Sequence, residues 1–225
     1  EVRMNFDVIL VVSGEDVNKV PLVCEQLKKK VPINRIKVIT NEVSLVEKII
    51  GSSECVDIID ETDVLSPLSN RELLEFSYLP GFPRRYFWYY QQFLKMEYSK
   101  ISDTEHYLIW DADTIPTRRM EFFDNGVPLY TVGNECLHKD YVINYEGIIG
   151  GNFPSSTSFI SQHMVVNKFL MKELIEIMSV DGDLQRGVLS RIKGDSVSLF
   201  SEYEFYFNYI QSKNTKIKIV ETPNG

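Results

Sequence analysis

Cysteine is scarce in this chain: Cys24, Cys55 and Cys136 are odd in number and far apart across 225 residues. That arithmetic excludes a disulfide framework and a cysteine-rich zinc module, and it points to a reducing compartment. No apolar run approaches the roughly 18 residues that a bilayer span requires. The amino terminus also lacks the charged-then-apolar layout of a secretory signal, so a cytoplasmic protein with no membrane span is expected. Positive charge is short as well, with 24 Lys and Arg against 32 Asp and Glu for a net charge of −8. Nucleic acid is therefore not an expected partner, because a duplex binder carries a basic face, and an anionic substrate needs a local basic pocket. No Gly-x-Gly-x-x-Gly follows the first apolar run, which leaves a dehydrogenase-type dinucleotide fold poorly supported.

What is present is an ordinary globular composition, 44% hydrophobic and 25% charged with no low-complexity tract. At this length a single domain with a sizeable core is expected over residues 1–225. The three residues ahead of Met4 read as a remnant before a natural start, and the chain is also readable as one domain of a longer protein.

The most informative stretch is residues 106–117, His-Tyr-Leu-Ile-Trp-Asp-Ala-Asp-Thr-Ile-Pro-Thr. Tyr107, Leu108, Ile109 and Trp110 suit a strand buried on both faces, and the run ends abruptly in Asp111 and Asp113. Two hard oxygen donors at the carboxyl edge of a core strand can share a Mg²⁺ or Mn²⁺ ion that also holds a diphosphate. The plainer alternative is that they cap a turn. Like charges at the rim of a buried strand are costly without a cation or strong donors, which favours the metal.

Around this motif the pattern alternates. Residues 7–12 (Asp-Val-Ile-Leu-Val-Val) read as a first buried strand closed by Ser13 and Gly14, and a helix beginning at Glu15 or Asp16 runs through Lys30. Residues 35–40 give a second strand, Asn41 caps a helix to Ile50, and residues 55–59 give a third strand. Three successive β-α units imply right-handed crossovers and a mostly parallel sheet flanked by helices. Further on, Phe87, Tyr90, Leu94, Tyr98 and Ile101 define a buried helical stripe, with Trp88, Gln91 or Gln92, and Lys95 on another face. Arg84 and Arg85 stand at that helix's start, where cations are disfavoured unless an anion lies nearby.

Beyond the Asp-x-Asp, residues 129–132 read as a strand, and residues 133–157 as a polar loop, with Gly150 and Gly151 as a hinge, that covers the cleft when donor binds. Residues 159–167 lead into an amphipathic helix whose buried face is Phe169, Leu170, Leu174, Ile177 and Met178. Ser201 and Glu204 fit a capping box, and residues 215–220 add a marginal strand.

A core strand ending in Trp-Asp-Ala-Asp-Thr, preceded by an aromatic helix carrying Gln-Gln-x-x-Lys, resembles the glycosyltransferases of the GT-A fold. In particular it resembles small nucleotide-sugar transferases of bacterial surface polysaccharide pathways and large DNA viruses. The resemblance implies an α/β, GT-A-like (Rossmann-like) domain with a nucleotide-binding half over about 4–117 and a sugar and acceptor half over about 118–225. It implies a nucleoside-diphosphate sugar donor, a UDP-sugar, with Mn²⁺ or Mg²⁺, and a glycan or glycoprotein hydroxyl as acceptor. Val12 and Ser13 would line the uridine pocket, with Asp57 or Asp60 near the base or ribose. Arg85 and Lys95 would approach the diphosphate or base, and Gln162 the sugar hydroxyls. Asp113 would bind the metal most directly, Asp111 the metal or ribose, and His163 would complete the metal shell. An inverting reaction needs a carboxylate to deprotonate the acceptor, and Glu202 is the candidate; a retaining one does not. Two other classes remain open: a sugar nucleotidyltransferase, which would normally carry a glycine-rich phosphate loop after the first strand, and a non-catalytic carbohydrate- or protein-binding module.

Overall fold

The computed structural model describes residues 6–51 and 53–221; the expectations about residues 1–4 lie outside them. The chain opens with β1 (Phe6–Val12), a 3₁₀ segment (Gly14–Lys19) and α1 (Val20–Lys30), then β2 (Ile36–Thr40), α2 (Val43–Ile50) and β3 (Val56–Asp60). It continues through α3 (Glu61–Val64), α4 (Asn70–Glu75), α5 (Tyr86–Glu97), β4 (His106–Trp110), β5 (Phe123–Asp124), β6 (Val127–Thr131) and α6 (Lys139–Ile149). The last elements are β7 (His163–Asn167), α7 (Lys168–Met178), α8 (Leu184–Leu189), α9 (Glu202–Ser212) and β8 (Lys218–Val220). No helix among the described residues is long and apolar enough to cross a membrane.

Five strands form the central sheet in the order β3-β2-β1-β4-β7, parallel except for β7, which runs antiparallel to β4. The alternation of side chains sorts the sheet into two cores. On one face Val8, Leu10, Val12, Leu108 and Trp110 meet Val20, Val23 and Leu27 of α1. On the other, Ile9, Ile39, Tyr107 and Ile109 meet the helices α5, α7 and α9. The chain builds β2 and β3 on one side of β1 and then returns to lay β4 on the other. In open α/β sheets such a reversal leaves a crevice at the carboxyl ends of the two strands.

Several elements depart from the sequence pattern. The helix expected from Glu15 begins at Val20, because Pro21 suits a first helical turn and the residues before it form the tighter 3₁₀ turn. Asn41 does not cap α2; Glu42 holds that position and its carboxylate accepts from the Gly14 amide at 2.8 Å. Helix α5 is buried nearly all round, with Tyr86, Tyr89 and Phe93 in the core; of the residues expected inside, Phe87 stands exposed on the helix and Ile101 beyond its end. On α7 the buried face is Met171, Leu174, Ile175 and Met178, with Phe169 and Ile177 exposed.

The stretch read as entering a helix is strand β7, whose apolar centre Met164, Val165 and Val166 is too short to betray its period. A second sheet, β5-β6-β8, was only partly foreseen. Its hairpin turns through Asn125 and Gly126, both at positive φ, as a two-residue primed turn demands.

Candidate active site

The crevice between β1 and β4 is a cleft of about 380 Å³. Val11 and Asp16 line it from the β1 side and Asp111, Ala112 and Asp113 from the β4 side. Trp88, Gln91, Gln92 and Lys95 of α5, and Ser201, Glu202 and Tyr203 at the start of α9, form the wall above, with Glu135, Tyr141, Ile160 and Ser198 toward the mouth.

The turn that carries the aspartates is built locally. Strand β4 ends at Trp110, the Thr114 amide donates to the Asp111 carbonyl at 3.0 Å, and the Trp110 indole donates to the Thr114 carbonyl at 2.8 Å. Asp113 therefore projects from a closed turn and is exposed, its one side-chain hydrogen bond among the described residues being from the Thr114 hydroxyl at 3.5 Å. Asp111 lies on the same face as Ile109 and is half-buried.

Asp111 is held by two donors on one oxygen: Lys95 Nζ at 2.7 Å and the Tyr203 hydroxyl at 2.9 Å, both to Oδ1. The same Lys95 ammonium reaches Glu202 Oε1 at 2.7 Å and lies over the Tyr203 ring, 5.0 Å from its centroid. Lys95 and Glu202 are 6% and 4% exposed, so this is a buried charge cluster that needs every partner it has. Burial opposes the ammonium, but Asp111 and then Glu202 more than offset it, and the Lys95 pKa is raised. Burial also pushes the Glu202 carboxyl up, against the pull of Lys95. The Glu202 amide donates to Gln92 Oε1 at 3.1 Å, which ties α9 to α5 in the cleft wall.

Other expected residues are placed elsewhere. Val12 is 1% exposed in the α1-side core, and it is Val11, on the alternate face, that lines the cleft. Ser13 sits exposed at the strand exit and caps nothing with its side chain. Asp57 lies in the amino-terminal half of β3, away from the strands' carboxyl edge. There it pairs with Arg35 Nε at 2.6 Å and Lys37 Nζ at 2.7 Å. Its pKa falls to about 2 because of the Arg35 hydrogen bond, which gives it a structural task.

Arg85 does not reach into the cleft. Its guanidinium stacks 3.8 Å from the Trp88 ring centroid and donates to the Val197 carbonyl and Ser198 hydroxyl at 3.2 and 3.3 Å. It thus fastens the 196–198 loop beside the cleft. Gln162 is exposed at φ 63; its carbonyl accepts from the Asp111 amide at 2.9 Å and its side chain from the Thr114 hydroxyl at 3.0 Å. It supports the aspartate turn from behind.

His163 is fixed by ring packing. It pairs with Trp110 across the ladder, stacks on its indole at 5.2 Å and 18°, and meets the edge of Phe122. Burial drives its pKa down to about 4. Among the described residues no three His, Cys, Asp or Glu side chains are grouped to hold a metal. The His163 side chain packs on the Trp110 side of the ladder, and Asp111 follows in the turn after β4.

The stretch 133–157 is not a structureless lid. It contains α6, whose Tyr141, Tyr145 and Ile148 face the core at spacings of four and three, and Gly150 is its left-handed cap at φ 80. The flanks are pinned. The Gly133 amide donates to the Ser158 carbonyl at 2.8 Å, the Phe159 amide to Glu204 Oε1 at 3.2 Å, and the Ser155 amide to Asn208 Oδ1 at 2.9 Å. Glu204 is fully buried; it receives the Ser201 cap through its amide at 3.4 Å, but its carboxylate serves this strap and does not return to close a capping box. Ile160 and Ser198 were not foreseen as cleft residues; Glu135 and Tyr141 fall in the stretch 133–157 expected beside the cleft, and for Trp88 and Gln91 the shared helical face with Lys95 was the signal.

No curated protein matches the chain. Among solved structures, it resembles an active-site Gln-to-Glu mutant of LgtC, a GT-A glycosyltransferase, with a TM-score of 0.52 at 11% identity. The match covers 96% of this chain and 72% of that one, and it shows a GT-A-like fold. A family model described as a family of unknown function (DUF6492) matches residues 6–221. The chain belongs to that family.

Proposed function

We propose that this protein is a metal-dependent glycosyltransferase that moves a sugar from a nucleoside-diphosphate sugar, a UDP-sugar, to the hydroxyl of a glycan or glycoprotein. In this reading residues 4–117 supply the nucleotide side and 118–225 the sugar and acceptor side of one domain. The observation that carries it is the charge of the cleft. Five carboxylates, Asp16, Asp111, Asp113, Glu135 and Glu202, line it, and the two ammoniums beside them among the described residues are engaged: Lys95 is shared by Asp111 and Glu202, and Lys19 pairs with Asp16 at 2.7 Å. A bare diphosphate would be repelled from such a surface, whereas a diphosphate chelated to a divalent cation would be drawn into it.

The residues fit that cation. Asp113 is exposed and nearly unbonded, and Asp111 has Oδ1 occupied while Oδ2 has no protein partner among the described residues. Two carboxylates with water and phosphate oxygens are the usual protein share of a Mg²⁺ site, and Mn²⁺ accepts the same donors. The ion would supply charge stabilisation for the departing diphosphate. The chain's own part is positioning: Gln162 and Trp110 hold the aspartate turn, Tyr203 and Lys95 orient Asp111, and Trp88, Gln91 and Tyr141 shape the space where sugar and acceptor meet. Asp57, Arg85 and His163 have no contact with donor in this scheme.

The test is donor turnover. With Mn²⁺ and a panel of UDP-sugars, slow release of UDP is expected from at least one donor and none in EDTA. A panel that is never cleaved, with or without acceptor glycans, would count against the assignment.

A further inference from the structure

Lys95 of α5, Glu202 at the start of α9 and Asp111 in the turn after β4 converge on one buried ammonium with two contacts of 2.7 Å. Around it the backbone is locked: Gln92 holds the Glu202 amide, and the Tyr107 hydroxyl donates to the Lys95 carbonyl at 2.9 Å. A lysine placed on Asp111 without a second carboxylate would be an internal cation competing with a divalent ion for the same side chain. Glu202 supplies the second carboxylate. With an exposure of 4% and Oε1 turned to Lys95, it is poorly disposed to take a proton from an acceptor hydroxyl.

We propose that Glu202 is a positioning residue that offsets the Lys95 ammonium, so that Asp111 is not spent on an internal ion pair and presents Oδ2 to the divalent cation. The inference rests on the metal-dependent reading above, and it replaces the expectation of Glu202 as acceptor base. Its signature is a cancellation of charges. Glu202→Gln preserves size and an oxygen for Lys95 but leaves the ammonium paired to Asp111 alone, which weakens cation binding. Removing both charges, Lys95→Met with Glu202→Gln, restores the balance, and exchanging a buried ion pair for neutral groups of similar size commonly leaves a fold intact.

The experiment titrates Mn²⁺ alone into the parent and both variants, following the EPR signal of the free ion, with thermal melts as the folding control. The parent binds Mn²⁺; Glu202→Gln raises the Kd about 10- to 100-fold, as loss of a group supporting a metal ligand typically does. The double variant returns to within about threefold of the parent, the non-additivity expected of coupled charges. An unchanged Kd in Glu202→Gln, with turnover lost, would make Glu202 a base and overturn the inference. A double variant no better than the single would overturn it too. A parent that binds no Mn²⁺ would instead refute the metal-dependent reading itself and this inference with it.

Discussion

Replacing Gly133 by alanine probes how the cleft mouth is held. A Cβ at this position would lie 2.3 Å from the Ile160 carbonyl oxygen and about as close as 3.0 Å to its carbonyl carbon, all backbone atoms with no side chain to swing aside. The two segments must separate, and the Gly133 to Ser158 hydrogen bond of 2.8 Å goes with them. Overpacking of this kind costs about 1–3 kcal/mol and the lost bond about 1, so roughly 2–4 kcal/mol of stability is expected to disappear. For a chain of this size that lowers the melting temperature by about 4–16 °C. Because Ile160 and Glu135 line the cleft on either side of this contact, faster amide exchange at residues 155–160 is expected with it. Calorimetric melting and hydrogen exchange read both effects. A melting temperature within about 2 °C of the parent, with unchanged exchange, would refute the close approach of the two segments.

Asp113→Ala is expected to abolish Mn²⁺-dependent UDP binding while shifting stability by less than about 0.5 kcal/mol, since the side chain is exposed and makes one 3.5 Å contact; calorimetry and a melt together check it. His163 gives a pH test. Its folded pKa, about 4, lies below the ordinary 6.5, so above pH 6.5 it is neutral in both states and contributes nothing. As pH falls from 6.5 to 4 the unfolded chain takes the proton first, and roughly 2–3 kcal/mol of stability is lost. His163→Phe should flatten that part of the stability profile and keep metal binding; loss of Mn²⁺ affinity in this variant would return His163 to the metal shell.

What the sequence revealed follows from which signals are local. The β-branched run of β1 and the apolar approach to Asp111 announce buried strands by composition, and three strand-helix repeats announce a parallel sheet. Strand β7 was missed because its buried centre is three residues long, and α6 because its aromatic stripe sits among glycines, asparagines and charges. The Asn125-Gly126 hairpin carried a readable turn signature that was overlooked.

Places in the cleft lining were legible where face and spacing decide them, as for Lys95 one turn beyond Gln91 and for Asp111 and Asp113 after β4. Tertiary partners decided the rest. Arg85 found the 196–198 loop, Asp57 found Arg35 and Lys37, and His163 found an indole, none of which a one-dimensional pattern encodes. The glycines were misjudged for a similar reason: Gly150 ends a helix, while the constrained one is Gly133, whose neighbour is distant in sequence.

Isothermal calorimetry of the parent protein with UDP, in Mn²⁺ and again in EDTA, tests the central claim most directly. A cleft lined by five carboxylates, with Lys95 and Lys19 both already paired, predicts saturable UDP binding with Mn²⁺ and none without it. UDP binding of equal strength in EDTA, or no binding of any nucleoside diphosphate in Mn²⁺, would contradict it.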